Sequence, residues 1–115
     1  MEIRMARGDM EMRTILLKNS SGTAYSTVPD EIYFTVKKNA NDHDYLFQKR
    51  LDSGIVFVET GKYQLVILPE DTDGLKFGTY DFDFEIVKDG EIKKTFDGTL
   101  ILGKEVTHHY NEAVI

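Results

Sequence analysis

Three carboxylates alternate along one stretch of the sequence and are the first candidates for chemistry. Asp81, Asp83 and Glu85 are separated by Phe82 and Phe84. On a β-strand, which rises about 3.3 Å per residue, alternate residues point to the same side and lie about 7 Å apart. Carboxylates at that spacing are able to bind calcium or to act as an acid–base pair. The alternative is an acidic face that is simply solvated and has no chemical role. We predict this alternative.

The remaining candidate motifs lack features that their chemistry requires. The run from Asp71 to Gly74 superficially resembles a calcium loop, but its glycine stands at the fourth position instead of the sixth and no bidentate Glu closes it. His108 and His109 are adjacent, so on a strand they face opposite sides, and His43 is distant in the sequence. No nucleophile elbow, phosphate loop or dinucleotide fingerprint is present. The sequence therefore predicts no catalytic, cofactor-binding or metal-binding residue and a protein that is not an enzyme.

Tyrosines are the other side chains that are able to recognise a ligand. Tyr25, Tyr33, Tyr45 and Tyr110 would form an aromatic platform for a sugar or a protein if the fold brought them together. Scattered tyrosines more often pack at the edges of sheets, and the chain has no Trp. A carbohydrate-binding module is therefore kept as the alternative function.

The carboxylates need a strand to position them, and the sequence around them predicts one. Tyr80, Phe82, Phe84 and Ile86 alternate with the acidic residues, which is the pattern of a strand with one buried face. Asp89-Gly90 then supplies two residues that tolerate positive φ, so a tight hairpin is expected. Upstream, Pro69 to Asp73 is expected to form a short turn or a single helical turn between two sheets. Tyr80, just after this crossing, resembles the tyrosine corner of immunoglobulin-like sandwiches.

Short strands with turn signals between them recur along the rest of the chain. Seven to nine strands are expected, spaced by about 8 to 12 residues, and no segment has ten residues of helical periodicity. The sequence therefore predicts an all-β fold, an immunoglobulin-like antiparallel β-sandwich over residues 1–107 with a C-terminal tail over 108–115. Asp97-Gly98 is interpreted either as a turn or as a bulge within one longer strand. The predicted core contains Phe34, Phe47, Leu65, Ile67, Phe82 and Phe84.

Composition excludes several classes of function. A chain of 115 residues is expected to form one domain, and the absence of Cys excludes disulfides, thiol catalysis and zinc–thiolate sites. The formal net charge of −6 argues against a nucleic-acid surface. No run approaches the roughly 18 apolar residues of a membrane helix, and the segment from Met1 to Met10 is too charged for a signal peptide. Folding in the cytosol is therefore expected.

Fragments along nearly the whole chain resemble a family of small structural proteins from tailed phages and prophages of Gram-positive hosts. The chain is similar to the N-terminal domain of their baseplate upper proteins, an immunoglobulin-like β-sandwich. The fragments that carry the likeness follow in family order: Met5 to Asp9, Asp30 to Lys38, Phe47 to Lys49, Leu68 to Thr72, Gly78 to Phe82, Lys88 to Gly90 and Glu105 to Thr107.

The resemblance implies a non-enzymatic module of the virion, tail or baseplate that mounts other parts by protein–protein contact. The implied partners are other phage structural proteins, and a homo-oligomer is also compatible with the resemblance. Neither nucleic acid nor a membrane is an implied partner. The implied location is the virion, assembled in the bacterial cytoplasm. Baseplate proteins of this kind also attach a stalk or a receptor-binding region, which this sequence lacks, so an adsorption role is not carried over. Exposed sheet edges and the stretch from Tyr110 to Ile115 are the expected contact surfaces.

Overall fold

Nearly all of the regular structure in the protein is β-strand. The computed structural model describes residues 1–104 and 112–114. These residues form nine strands and one single-turn helix: β1 (Glu2–Ala6), β2 (Glu11–Leu16), β3 (Glu31–Lys37), β4 (Phe47–Leu51), β5 (Gly54–Glu59), β6 (Lys62–Ile67), α1 (Pro69–Thr72), β7 (Gly78–Lys88), β8 (Glu91–Gly103) and β9 (Glu112–Val114). The predicted all-β fold is confirmed, and α1 is the single helical turn expected between two sheets.

The strands follow one another in the order β1-β8-β7-β3-β4-β5-β6-β2-β9. All nine strands belong to one hydrogen-bonded sheet. Only two residue pairs join β4 to β5, so the sheet turns a corner at this joint and folds into two layers. In a variable-type immunoglobulin sandwich, strands G, F, C and C′ share one sheet while B, E and D share the other. Lettering the present strands in chain order gives the same two groups. The order β8-β7-β3-β4 matches the first sheet and β2-β6-β5 matches the second.

Three strand pairs are parallel, which the sequence pattern does not reveal. The pairs β1–β8, β2–β9 and β4–β5 are parallel, and the other five pairings are antiparallel. Two of the parallel pairs join opposite ends of the chain, and the third is the short contact at the corner. Strand direction depends on where the chain goes between strands, and alternation within a strand carries no record of that route.

The strand β7, which carries the three carboxylates, buries the side that its sequence predicts. Phe82 and Phe84 are 3% and 1% exposed, and every residue of the predicted core is buried. The ring centroid of Phe34 lies 5.1 Å from that of Phe82 and 4.9 Å from that of Phe84, which places all three rings in one cluster between the layers. The hairpin is also confirmed, since Asp89 and Gly90 both have positive φ, at 55° and 75°.

Asp97 and Gly98 form neither a turn nor a bulge; both lie inside the uninterrupted strand β8. Gly98 is directly opposite Phe82 in the β7–β8 pairing. A Cβ atom at Gly98 would come within 2.5 Å of both the Phe82 ring and the carbonyl oxygen of Met1. Glycine within a strand often marks a close approach of another group. Here the aromatic ring and the first residue of the chain occupy the space that a side chain would need.

The tyrosine corner predicted at the start of β7 is present. The buried Tyr80 hydroxyl donates a hydrogen bond of 2.6 Å to the carbonyl oxygen of Lys76. This bond ties the strand to the chain that crosses from the other layer, as in immunoglobulin-like sandwiches.

Tyr80→Phe is expected to lower the free energy of unfolding by about 1 kcal/mol, because a typical hydrogen bond contributes about that much and the ring itself is kept. Urea denaturation measures the loss. Tyr45→Phe, at a side chain that is 54% exposed, is the matched control and should change nothing. Equal stabilities for Tyr80→Phe and the parent chain would contradict this role for the hydroxyl.

Part of the predicted C-terminal tail is incorporated into the sheet. Residues 112–114 form β9, which runs parallel to β2 and extends the layer that contains β5 and β6. The other residues of the predicted 108–115 tail, including His108, His109 and Tyr110, lie outside the described part of the chain. So does the end of the predicted sandwich segment, from Glu105 to Thr107.

Candidate functional site

The outer side of the β8-β7-β3 sheet is an acidic face. We define it by Asp81, Asp83 and Asp97, which line a shallow concavity of about 470 Å³ together with Thr35 and Lys37. The predicted display of Asp81, Asp83 and Glu85 on one face of β7 is confirmed, since all three are half-buried and alternate with buried residues. Glu85 does not line the concavity. Asp97 comes from the neighbouring strand β8. Its place beside Asp83 could not be predicted from the sequence, because register between strands is a tertiary property.

The carboxylates of the acidic face contact neighbouring strands and loops, and these neighbours determine their electrostatic environment. Asp81 is paired across the strands with Lys37, and its Oδ2 atom accepts a 2.8 Å hydrogen bond from the Ala40 backbone N–H. Asp83 lies directly opposite Asp97, where like charges are unfavourable. Partial burial raises the pKa of Asp83, the Lys37 ammonium lowers it, and the charge of Asp97 raises it further. The net direction of the pKa is upward, because desolvation is a larger effect than the attraction of Lys37.

The raised pKa of Asp83 predicts a pH-dependent effect of Asp83→Asn. Below the unfolded-state pKa of 3.8 both states hold the proton, so the carboxyl costs no stability. Above the folded-state pKa the ionised group is disfavoured in the fold, and that cost is removed in the variant. The stability of Asp83→Asn relative to the parent chain should therefore rise slightly as pH increases.

Denaturation from about pH 3 to about pH 7 measures this difference. Asp44→Asn, in an exposed loop, controls for the change in net charge. A relative stability of Asp83→Asn that falls with pH would contradict the assignment.

The calcium-loop resemblance between Asp71 and Gly74 is explained by structural contacts. The Asp71 carboxylate pairs with Lys49 Nζ at 2.6 Å and accepts a 2.7 Å hydrogen bond from the Leu68 N–H. The Thr72 hydroxyl accepts a 2.9 Å hydrogen bond from the Gly8 backbone N–H.

Among residues 1–104 and 112–114, no three His, Cys, Asp or Glu side chains are grouped as a metal site would require. No helix within the same residues is long and apolar enough to span a membrane.

The described surface tyrosines do not meet in one platform. Tyr25 lies beneath the Lys94 ammonium at 4.8 Å and Tyr33 beneath the Arg50 guanidinium at 5.1 Å. Tyr45 precedes β4, five residues before Arg50. It lies in the loop before that strand and is 54% exposed. Tyr25 and Tyr33 thus have different cationic neighbours, and Tyr110 lies outside the described residues.

The opposite outer side of the sandwich, on β2, β5 and β6, carries an apolar face. We define it by Met12, Val56, Val66 and Leu68. Met12 is directly opposite Val66 in the β2–β6 pairing. A groove of about 350 Å³ is lined by Val56, Val66 and Leu68 together with Gln48, Lys49, Ser53 and Gly54 from the β4–β5 corner. Met12 is 42% exposed and Val56 is 48% exposed. Apolar side chains that adjoin on a solvent-facing sheet are typical of a surface that contacts another protein.

Sequence reasoning missed this apolar face, although a signal for it was present. The stretch from Tyr63 to Leu68 is apolar on both faces, which is a pattern typical of a central strand. The strand β6 is indeed central, between β5 and β2. Its second apolar face is not covered by another layer within the described residues, and Val66 and its neighbours face outwards. A strand that is apolar on both faces predicts burial or a contact surface, and sequence periodicity does not distinguish the two.

An edge of β5 is the second exposed apolar feature and adjoins this face at Val56. We define the β5 edge as Val56, Phe57 and Val58, whose side chains are 48%, 46% and 50% exposed. The strand pairs with β6 along one side, but it contacts β4 only through Gly54 and Ile55. Beyond Ile55 the side towards β4 has no strand partner among the described residues. An exposed sheet edge was one of the contact surfaces predicted from the sequence.

No protein-family model, curated protein or solved structure shows significant similarity to this chain.

Proposed function

We propose that the chain is a non-enzymatic protein-interaction module of a phage or prophage particle, associated with the tail or the baseplate. The observation that carries the interaction role is the exposed apolar face of Met12, Val56, Val66 and Leu68. Leaving apolar area in water costs about 25 cal/mol per Å², so a partner that covers this face would gain that free energy. The proposed partners are other structural proteins of the particle, and the proposed location is the virion.

The difference between the two outer faces supports a module that is mounted in one orientation. Asp81, Asp83 and Asp97 line the concavity on one side, with Lys37 as a basic neighbour. The groove on the other side is lined by Val56, Val66 and Leu68 next to the polar Gln48, Lys49 and Ser53. In a crowded assembly, the apolar side is the one that gains by being covered. The acidic side repels the other acidic surfaces of like copies. This asymmetry suits a part that docks through one face and leaves the other in solvent.

The assignment to a phage rests on the sequence fragments that resemble baseplate proteins, and the fold supports it. Those fragments imply an immunoglobulin-like sandwich, and the strand order of this chain agrees with that implication. The fragment Gly78 to Phe82 contains the tyrosine corner, and Leu68 to Thr72 contains the crossing helix. Sandwiches of this architecture serve many functions, so the fold by itself does not select the phage.

Incorporation into particles tests the proposal. The tagged chain is expressed in a lysogen that carries the gene, the prophage is induced, and particles are purified by density gradient. The chain should co-purify with tails or whole particles. Met12→Lys should reduce its incorporation at least tenfold, because a charge in the apolar face opposes docking.

Ile92→Lys is the matched control for this experiment. Ile92 is an equally accessible apolar side chain, 57% exposed, at the hairpin end of β8 and away from the apolar face. It should incorporate normally. A folded parent chain that never enters particles would refute the phage assignment, and equal incorporation of both variants would refute the role of the apolar face. Binding to a glycan array that is lost in Tyr→Ala variants would instead favour the carbohydrate-binding alternative.

A further inference from the structure

The β5 edge combines exposed apolar side chains with backbone that no other described strand pairs with beyond Ile55. Soluble proteins normally avoid this combination. Sheet edges are usually protected by charged side chains, proline or a covering segment. Here Val56, Phe57 and Val58 are consecutive, apolar and about half exposed. The ring of Phe57 packs edge-on against Tyr63 at 5.6 Å, so the edge is held in a defined position by the sheet behind it.

The backbone of this edge is oriented to accept another strand. The carbonyl oxygen of Ile55 accepts a 2.7 Å hydrogen bond from Asp52, which lies in the turn from β4. The N–H and C=O groups of alternate residues in a strand point to the same side. Those of Phe57 therefore point to the open side as well. An added strand centred on Phe57 would be able to form the pair of hydrogen bonds that antiparallel strands exchange.

The amino-acid sequence of the β5 edge is palindromic. Val56-Phe57-Val58 is symmetric about Phe57. We propose that the β5 edge pairs with the same edge of a second copy of this chain, antiparallel and around a two-fold axis at Phe57. Each Val56 then lies opposite the other copy's Val58, and the two Phe57 residues lie opposite each other. Aromatic and β-branched cross-strand pairs are among the most favourable ones in antiparallel sheets.

Charge also favours this edge as the place where two copies meet. The net charge of −6 opposes association of like chains in general. Between Ile55 and Glu59 the only charged residue is Glu59, which lies opposite Lys62 in the β5–β6 register. In the proposed register the two Glu59 residues are four positions apart, about 13 Å along the strands. This exceeds the Debye length of about 8 Å at physiological salt, so their repulsion is largely screened.

The interface is expected to be small. The β5–β6 register shifts between Phe57 and Glu59, a bulge that increases the local twist and limits the straight part of the edge. Interfaces that bury less than about 1,200 Å² in total are typically weak and transient. We therefore expect a dimer that forms reversibly between micromolar and millimolar chain concentrations. The proposal rests on the interaction role proposed above but not on the phage assignment.

Sedimentation measured across that concentration range tests the proposal. The parent chain should shift from monomer to dimer. Val58→Lys should weaken dimerisation at least tenfold, because it places two like charges beside the shared strand pair. Val28→Lys, at another half-exposed valine in the β2–β3 connection, should dimerise like the parent chain. Circular dichroism should show that both variants remain folded.

A cysteine at the axis tests the register directly, because the natural chain has no Cys. Hydrogen-bonded antiparallel residues have Cα atoms about 5.5 Å apart, which is within the range that a disulfide spans. Phe57→Cys should form a covalent dimer on mild oxidation, while Ile92→Cys should not.

The dimer proposal would be overturned by a chain that stays monomeric at millimolar concentration. It would equally be overturned by a dimer that Val58→Lys leaves unchanged, or by equal cross-linking at Phe57→Cys and Ile92→Cys. A monomeric chain that still enters particles would refute the dimer and leave the proposed function standing.

Discussion

Phe84→Ala is expected to lower the free energy of unfolding by about 3–5 kcal/mol, the usual cost of truncating a buried Phe. Phe84 is 1% exposed and packs against Phe34 at 4.9 Å and Phe82 at 5.9 Å. Removing its ring leaves a cavity between the two layers, and the neighbouring rings lose their contacts on that side. The strand β7 also pairs with both β3 and β8, so it has little freedom to move in and close the cavity.

Urea denaturation of Phe84→Ala and Asp83→Asn measures this difference at adjacent positions. The second variant changes a carboxylate on the outer face and should be near neutral at pH 7. Phe84→Leu, which keeps most of the apolar volume, should show a clearly smaller loss than Phe84→Ala and remains measurable if the alanine variant does not fold. Equal losses for Phe84→Ala and Asp83→Asn would refute the inward facing of Phe84.

Asp71→Asn is expected to destabilise the protein by about 3 kcal/mol, because it leaves the Lys49 ammonium without its partner in a largely buried place. The two side chains are only 10% and 15% exposed, and Nζ and Oδ2 are 2.6 Å apart. The pair joins β4 to α1 and so connects the two layers at the crossing. The Asn side chain keeps an acceptor for the Leu68 N–H, so the loss reports mainly on the missing charge.

A double-mutant cycle with Lys49→Met separates the buried charge from the rest of the site. The methionine replaces the lysine stem with an apolar side chain of similar length. When both charges are gone, no buried ion lacks a partner, so the double variant should recover most of the stability that Asp71→Asn loses. Additive losses from the two single variants would indicate that the ions do not interact. Glu70→Gln is the control, because it replaces an exposed carboxylate on the same helix by a carboxamide.

The proposed interaction role and the stability of the core involve different parts of the sandwich. The cluster of Phe34, Phe82 and Phe84 holds the layers together from the inside, while the apolar face around Val66 and the β5 edge lie outside it. Substitutions at Met12 or Val58 are therefore expected to change association with little effect on unfolding. This separation makes the two proposals testable without loss of the fold.

Local patterns in the sequence were sufficient for the strands and for the contacts between near neighbours. The alternation from Tyr80 to Ile86 determined which side of β7 is buried, because successive side chains in a strand point in opposite directions. Asp89-Gly90 determined the hairpin, because few other residues tolerate positive φ. The Tyr80 hydroxyl reaches only as far as Lys76, so the tyrosine corner could be expected from the order of the residues.

The tertiary structure alone decided where distant segments meet. Lys49 would be expected on the surface from its residue type, but it is 8% exposed because β4 turns it towards Asp71. Arg13 is likewise buried and donates a 3.0 Å hydrogen bond to the Arg4 carbonyl oxygen, which links β2 to β1. The meeting of Asp83 with Asp97 depends on register between strands.

The parallel pairing of β1 with β8 and the open side of β5 also depend on the tertiary structure. They are set by the path of the chain between strands and by the corner at β4–β5. Periodicity reports which way a side chain points within its own strand. It contains no information on which strand lies beside it, because pairing is decided by packing of the whole sandwich.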